Sequence, residues 1–455
     1  MKKTKLAQLI AVTALCSGLA NAQNVDFNKL PSMADLKTQI GAIEVPAPSI
    51  SAPQVRAPKE WTIMLFLNGK NNLAKYVDYD MNEMEQVGST DKINIVVEAG
   101  KIKATAPSYP DYPGGWDDYP DYNGGIGGWN PSGIHPYRNK QAAADWYGVR
   151  RYYVTKDANA SMLASQLVQE LPKADMGDWN HLVEYVQWAK AAYPAKKYML
   201  VVWNHGDGWK TKSLEGSASI AKGISYDNET GNGITTVQLG QALAKIGGVD
   251  IYASDACLMQ MAEVVYELKN YAPVIVGSEE TEPGDGWDYT AFLWRMVATD
   301  LAPEAVAKSA VEGYAASYAA KGKAVTMSAV RSREADALQS LLNQWVTLAS
   351  AQDKAKLNEA LKESTDFEGV DARDLLHFLS LAGTKVPVLQ AKGEEIASLV
   401  ANEMMIKNSP TGNQYKNAGG LAIYLPSSSF DANYSKLAMS KAGIWDEFMK
   451  WMTTK

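Results

Sequence analysis

Tyr198-Met199-Leu200-Val201-Val202-Trp203-Asn204-His205-Gly206-Asp207-Gly208-Trp209 is the stretch that decides the fold. Tyr198 to Trp203 is an unbroken apolar run, too short for an ordinary helix and the right length for a strand buried on both faces. It stops at a histidine flanked by Gly206 and Gly208, which let another backbone approach closely. The arrangement then recurs. Val249 to Ala253 is a second strand-like run, and it ends at Ser254-Asp255-Ala256-Cys257. Between the two runs, Thr236 to Ile246 has helical spacing. Strand, helix, strand is the pattern of a parallel α/β unit.

The same alternation extends outward. Thr62 to Leu67 reads as a strand and Asn68-Gly69-Lys70-Asn71-Asn72 as its turn. Leu73 to Val87 reads as a helix, with Leu73, Tyr76, Val77, Met81 and Met84 at helical spacing, and Ile93 to Val97 as the next strand. Strands are also predicted at Val149–Val154 and Val274–Val276, and helices at Asn180–Ala192 and Met259–Leu268. Lys101 to Gln141 interrupts the pattern with Tyr, Pro, Gly, Asp and Trp, and Tyr109-Pro110-Asp111-Tyr112 is echoed at Tyr119-Pro120-Asp121-Tyr122. It is too long for an ordinary connection and reads as a surface insertion. Its Gly125-Ile126-Gly127-Gly128 lacks the strand before and the Gly-Lys-Ser/Thr after that a phosphate loop needs. Beyond Asp300 the texture is helical: Glu304–Ala320, Arg333–Ala349, Ala355–Glu363 and Ala391–Lys407. Two strand-like runs, Ala324–Val330 and Leu421–Leu425, either extend the same sheet, the favoured reading, or sit in a separate module. The expected class is therefore α/β with a mostly parallel central sheet over 59–299 and a largely helical region over 300–455.

The N-terminus carries Lys2, Lys3 and Lys5, an apolar stretch from Leu6 to Leu19, and the small-x-small site Ala20-Asn21-Ala22. This reads as a cleavable signal peptide over 1–22, and the stretch is short for a membrane span. The Pro- and Ala-rich segment 23–58 reads as a leader or pro-segment. A secreted or periplasmic protein without stable membrane insertion is expected. Its formal net charge of −7 argues against nucleic-acid or anionic-membrane partners, which call for basic patches. The chain has 2 cysteines, Cys16 and Cys257. Removal of the signal leaves Cys257 with no internal disulfide partner.

In parallel sheets, ligands bind beyond the carboxyl ends of the strands, where His205 and Cys257 both fall. A thiol and an imidazole at neighbouring strand ends are the minimum kit for nucleophilic acyl transfer. Cys257 is expected just before a helix, whose positive end would favour the thiolate. The backbone N–H groups of Gly206 and Cys257 are candidate oxyanion donors, and His205 would protonate the leaving amine. His135 in the insertion, His181 at a helix start and His377 in the helical stretch Asp374–Leu381 read as surface or packed residues. Apart from His205-x-Asp207, no ligand pair has metal-site spacing, and a zinc site is not expected.

Trp203-Asn204-His205-Gly206-x-Gly208-Trp209 followed by Asp255-Ala256-Cys257-Leu258-Met259 resembles the clostripain family of cysteine peptidases. So do Trp61-Thr62-Ile63-Met64, Met176-Gly177-Asp178, Gly223-Ile224-Ser225-Tyr226-Asp227, Glu282-Pro283-Gly284-Asp285-Gly286-Trp287 and Gly420-Leu421-Ala422-Ile423-Tyr424-Leu425-Pro426, in order along the chain. The resemblance implies a caspase-like α/β/α sandwich, shared with gingipains and legumain, and a His205/Cys257 dyad needing no third member. It implies Asp255 at the base of a specificity pocket, and hence protein or peptide substrates cut after Arg or Lys; the competing role for Asp255 is a helix N-cap. Family members are often processed between the two catalytic segments, which makes Lys210, Lys212 and Lys222 candidate self-cleavage sites. The product would be a monomer or a self-nicked two-chain form. No cofactor is required. Some members use calcium; Asp227, Asn228 and Glu229 offer hard oxygens, but not at EF-hand spacing. Two other readings are an exported binding protein on an inactive peptidase-like scaffold and a legumain-like specificity on the same fold.

Overall fold

A computed structural model describes residues 57–103, 146–159, 162–210, 223–368 and 371–454. The segment read as a signal peptide, nearly all of the one read as a leader, most of the stretch read as an insertion, with His135, and Lys212 and Lys222 lie outside the described residues. In Lys59–Gly69 (β1) side chains alternate between two apolar layers. Trp61, Ile63, Leu65 and Leu67 enter one; Met64 and Phe66 enter the other. A strand whose two faces are both covered must sit inside a sandwich.

The elements follow in turn: α1 (Ala74–Glu85), β2 (Ile93–Lys101), β3 (Gly148–Tyr153), β4 (Gln166–Leu171), α2 (Trp179–Ala192) and β5 (Ala195–Trp203). A hairpin, β6 (Ile224–Asp227) with β7 (Asn232–Ile234), precedes α3 (Thr236–Lys245), β8 (Ile251–Asp255), α4 (Ala262–Leu268) and β9 (Val274–Gly277). Then come α5 (Tyr289–Val297), α6 (Pro303–Ala320), β10 (Ser328–Arg331), α7 (Ala335–Ala349), α8 (Lys354–Glu363), β11 (Asp366–Phe367) and β12 (Ala372–Asp374). The chain ends with α9 (Leu375–Lys385), α10 (Gln390–Leu399), β13 (Met405–Asn408), β14 (Ala422–Tyr424), α11 (Ala438–Ala442) and α12 (Trp445–Thr453).

The main sheet has 9 strands in the order β13-β10-β9-β8-β5-β1-β2-β3-β4. Strands β9, β8, β5, β1 and β2 run parallel. Antiparallel strands close both edges, β10 and β13 on one side and β3 and β4 on the other. Helices α1, α5 and α6 cover one face through Val77, Met81, Phe292, Met296, Val311 and Tyr314. Helices α2, α3, α4 and α7 cover the other through Val186, Leu239, Val264 and Trp345. The result is an α/β/α sandwich.

Local chemistry explains the helix starts. Thr235 and Gln238 form a reciprocal capping box at α3, and Asp178 accepts from the Asn180 N–H to cap α2. The motif before α2 packs tightly: a Cβ on Gly177 would lie 2.4 Å from the Asn232 carbonyl.

Two expectations for the C-terminal region change. The Ala324–Val330 run supplies β10 to the main sheet, but Leu421–Leu425 supplies β14 to a separate 3-stranded sheet, β11-β12-β14. It meets the rest through the Met261–Ala422 bridge. The helix expected over Ala391–Lys407 ends at Leu399; a π turn over Val400–Met404 then releases the chain into β13. Helical spacing continues through Val400 and Met404, which stay buried, so the hydrophobic pattern hides the break. Among the described residues no helix is long and apolar enough to cross a membrane.

Candidate active site

β5 and β8 are adjacent parallel strands in the register Trp203↔Asp255. His205 and Cys257 each stand two residues beyond that pair, at the same end of the sheet. The Asn204 N–H donates to the Asp255 carbonyl at 3.2 Å and carries the pairing past the strands. Gly206 then lies against the nucleophile's own backbone: a Cβ there would sit 2.4 Å from the Cys257 carbonyl oxygen. That contact is why glycine follows the histidine. On its other side Gly206 bridges Ile224 through the Asp207 N–H to Gly223 carbonyl bond, 2.9 Å. The Gly206 N–H is left out of that bridge.

Cys257 occupies a turn, not a helix end. Helix α4 starts only at Ala262, with Met261 at its N-cap, so the helix dipole expected to favour the thiolate is too distant. The next residue, Leu258, holds φ +65°, a left-handed conformation that strains a branched side chain. Leu258 N–H to Glu280 carbonyl (3.1 Å) and Gln260 N–H to Ser278 carbonyl (2.9 Å) clamp the turn against the segment after β9. That segment reaches the sulfur: the Glu282 N–H donates to Cys257 Sγ at 3.2 Å. Burial pushes the Cys257 thiol up to about 12, helped by the negative charges of Glu282, Asp207 and Glu280 and opposed by the Glu282 N–H. The resting thiol is therefore protonated, the reverse of the sequence expectation.

His205 is partly accessible, and its Nε2 meets Asn72 Oδ1 at 2.7 Å. With an amide oxygen facing it, Nε2 carries the proton and Nδ1 keeps a lone pair. Asn72 lies in the turn after β1, and that turn is tightly held. Asn68 Oδ1 accepts from the Lys70 N–H at 3.0 Å, and Asn71 Nδ2 donates to the Tyr226 carbonyl at 2.9 Å. The Lys70 ammonium, 1% exposed, reaches Asp227 at 2.9 Å and Glu229 at 2.5 Å. The hard oxygens that the sequence offered to calcium thus face an ammonium.

Asp255 ends β8 and caps no helix. It is 3% exposed and accepts from the Tyr289 hydroxyl (2.7 Å) and the Trp287 N–H (3.3 Å). Burial pushes its carboxyl up to about 7, with the Tyr289 and Trp287 bonds opposing the rise. A Cβ on Gly286, at φ +59°, would meet Asp255 Oδ1 at 3.0 Å. The Glu282–Trp287 motif therefore wraps the Asp255 carboxyl. Asp80 from α1 stands close enough for its charge to act on Asp255 and on Tyr289. Among the described residues neither Asp255 nor Asp80 has a salt-bridge partner, and a cationic ligand would be stabilised in this corner.

The remaining candidates lie elsewhere. His181 Nε2 pairs with Glu98 at 2.6 Å on the α2 side. His377 Nδ1 accepts from the Thr365 N–H at 3.0 Å. Lys210 forms an ion pair with Asp371. Two contributors escaped the sequence reading, Asn72 and Glu282. The doubled asparagine at a strand's carboxyl end was the one available signal for the first; Glu282 lay inside a quoted motif without a role.

The sequence profile of the clostripain family matches residues 65–450. The chain belongs to the clostripain family of cysteine peptidases. Clostripain of Hathewaya histolytica is 31% identical to this clostripain-family chain over 137 residues, 28% of this chain and 26% of that protein. The match thus spans about a quarter of the curated relative. A solved structure of a secreted C11 cysteine protease from Bacteroides thetaiotaomicron, bound to an irreversible peptide inhibitor, superposes with a TM-score of 0.59 at 20% identity; 85% of this chain and 99% of that one are covered. An inactive zymogen C11 protease from Parabacteroides distasonis gives a TM-score of 0.57 at 17% identity, with the same coverage. The clostripain-family sandwich described above is the caspase-like fold of those structures.

Proposed function

We propose that this clostripain-family member is an exported cysteine endopeptidase that cleaves peptide bonds after Arg or Lys. The observation that carries the reading is the Trp203↔Asp255 register, which sends His205 and Cys257 from adjacent strands to one place with a buried carboxylate beneath. His205 Nδ1 takes the proton from Cys257 Sγ, and the thiolate attacks the scissile carbonyl carbon. The Gly206 and Cys257 N–H groups hold the tetrahedral oxyanion. His205 returns the proton to the leaving amine as the C–N bond breaks. Water then hydrolyses the thioester by the same path. Asp255 receives the basic side chain on the amino-terminal side of the cut bond.

Export follows from the Lys2-to-Ala22 segment and agrees with the secreted protease of similar fold. Self-processing falls in 210–222. Lys210 is held by Asp371 and only 15% exposed, so Lys212 and Lys222 are the better sites. Arg- and Lys-ended fluorogenic peptides test the function: the wild type hydrolyses them and Cys257→Ala does not. Equal hydrolysis by Cys257→Ala refutes the assignment.

A further inference from the structure

Glu282 touches the nucleophile and the pocket floor at once. Its N–H donates to Cys257 Sγ at 3.2 Å, and its carbonyl oxygen lies 3.8 Å from the same sulfur. Its side chain shares a hydrogen bond with the Asp255 carboxyl, a contact that needs one of the two to be protonated. Beyond that shared proton and a backbone hydrogen bond from Ala256, the Glu282 carboxyl oxygens have no partner among the described residues, and both are buried. Other polar atoms nearby are in the same condition. The Tyr314 hydroxyl, whose residue is 1% exposed, lacks a partner and feels the charges of Glu282, Asp255 and Cys257. Trp287 Nε1 and Asp80 Oδ2, on residues 1% and 3% exposed, are also without partners. Buried polar atoms are usually paired, and several unpaired ones around one corner are available to a polar ligand. No group of carboxylates among the described residues has metal-binding geometry. An organic cation with several N–H donors fits the corner.

The sign of the charge links that cation to catalysis. Burial holds the Glu282 carboxyl well above its usual range and Asp255 up to about 7, so above pH 7 the pair keeps one proton and one negative charge, and charge on Glu282 opposes the Cys257 thiolate. A cation paired with Glu282 cancels that opposition. We propose that Glu282 is a second specificity residue of the pocket, and that the basic side chain it binds with Asp255 thereby activates Cys257 for attack. This rests on the reading of Asp255 as the pocket floor. Substrate selection and nucleophile activation then share one residue: a neutral side chain fills the pocket without freeing the thiolate. Linkage makes the effect reciprocal, so an ionised thiol also binds the cation more tightly.

Alkylation tests the coupling without any peptide bond. The full chain is treated with iodoacetamide, an uncharged reagent, at pH 8 with and without n-butylguanidinium, and label at Cys257 is read by peptide mass mapping. The cation should speed labelling of the wild type about 5-fold or more. Glu282→Gln, which mimics the protonated acid, should label at about the wild-type rate without the cation and gain little from it. It should also raise KM for Arg-ended substrates more than for citrulline-ended ones. Full acceleration retained in Glu282→Gln overturns the proposal. A wild type that cleaves after Arg or Lys but shows no acceleration also overturns it, and leaves the pocket reading standing. Neither cleavage nor acceleration brings down the pocket reading itself. The wild-type arm is decisive even if the variant does not fold.

Discussion

Asn72 Oδ1 meets His205 Nε2 at 2.7 Å, and that contact decides which imidazole nitrogen carries the proton. Asn72 is a positioning residue: it fixes tautomer and ring orientation without touching the reacting atoms. Asn72→Ala should lower kcat about 10- to 100-fold and leave KM within about 2-fold, because orientation is felt mainly in the transition state. Asn72→Asp, which keeps an acceptor, should restore most of the loss. An unchanged kcat in the alanine variant removes Asn72 from the mechanism. His205 and Cys257 were legible because each ends an apolar run, and strand ends are where parallel sheets do chemistry. Asn72 was not, since nothing in Asn68–Asn72 says which strand its turn will stand beside. The state of the thiol was misread for a similar reason. Its environment is set by Ser278–Glu282 folding back over Cys257, a contact that local spacing does not encode.

The turn after β1 and the β6–β7 hairpin are joined by Lys70, which bonds Asp227, Glu229 and the Ala174 carbonyl from a buried position. Both partners of the Lys70–Asp227 pair are almost wholly enclosed. Removing the ammonium strands a buried carboxylate, so Lys70→Met should cost about 3–5 kcal/mol in chemical denaturation. Loss of under about 1 kcal/mol would show that the hairpin is held by packing instead. Such ties explain why the sequence motifs were readable as a set. Gly223–Asp227 forms β6 and its anchor, Met176-Gly177-Asp178 joins that anchor to α2, and Glu282–Trp287 encloses Asp255. β4 was invisible for a physical reason: its residues are exposed along nearly the whole strand, so it shows no alternation of apolar and polar positions. β13 and β14 are 4 and 3 residues long, too short for period alone to place them in a sheet.

Across the whole molecule, the sandwich buries carboxyls that hold their protons. Burial pushes Asp255 and Glu263 up to about 7 and Glu83 up to about 8, from ordinary values of 3.8 for Asp and 4.5 for Glu. Each binds its proton more tightly folded than unfolded. Their stabilisation is complete below pH 4 and drains as the pH rises to about 8. The melting temperature should therefore be higher at pH 5.5 than at pH 8.5, and a rise over that interval would contradict the picture of a neutral acidic corner. The same corner bears on the central claim, that a carboxylate under the His205–Cys257 pair selects a cation. The most direct measurement is kcat/KM for a peptide ending in Arg against the same peptide ending in citrulline, its neutral isostere, for wild type and Asp255→Asn. The wild type should prefer Arg by about 100-fold or more, from a buried charge pair, and the preference should collapse to within about 10-fold in Asp255→Asn. An equal preference in both proteins, or none in either, would contradict it.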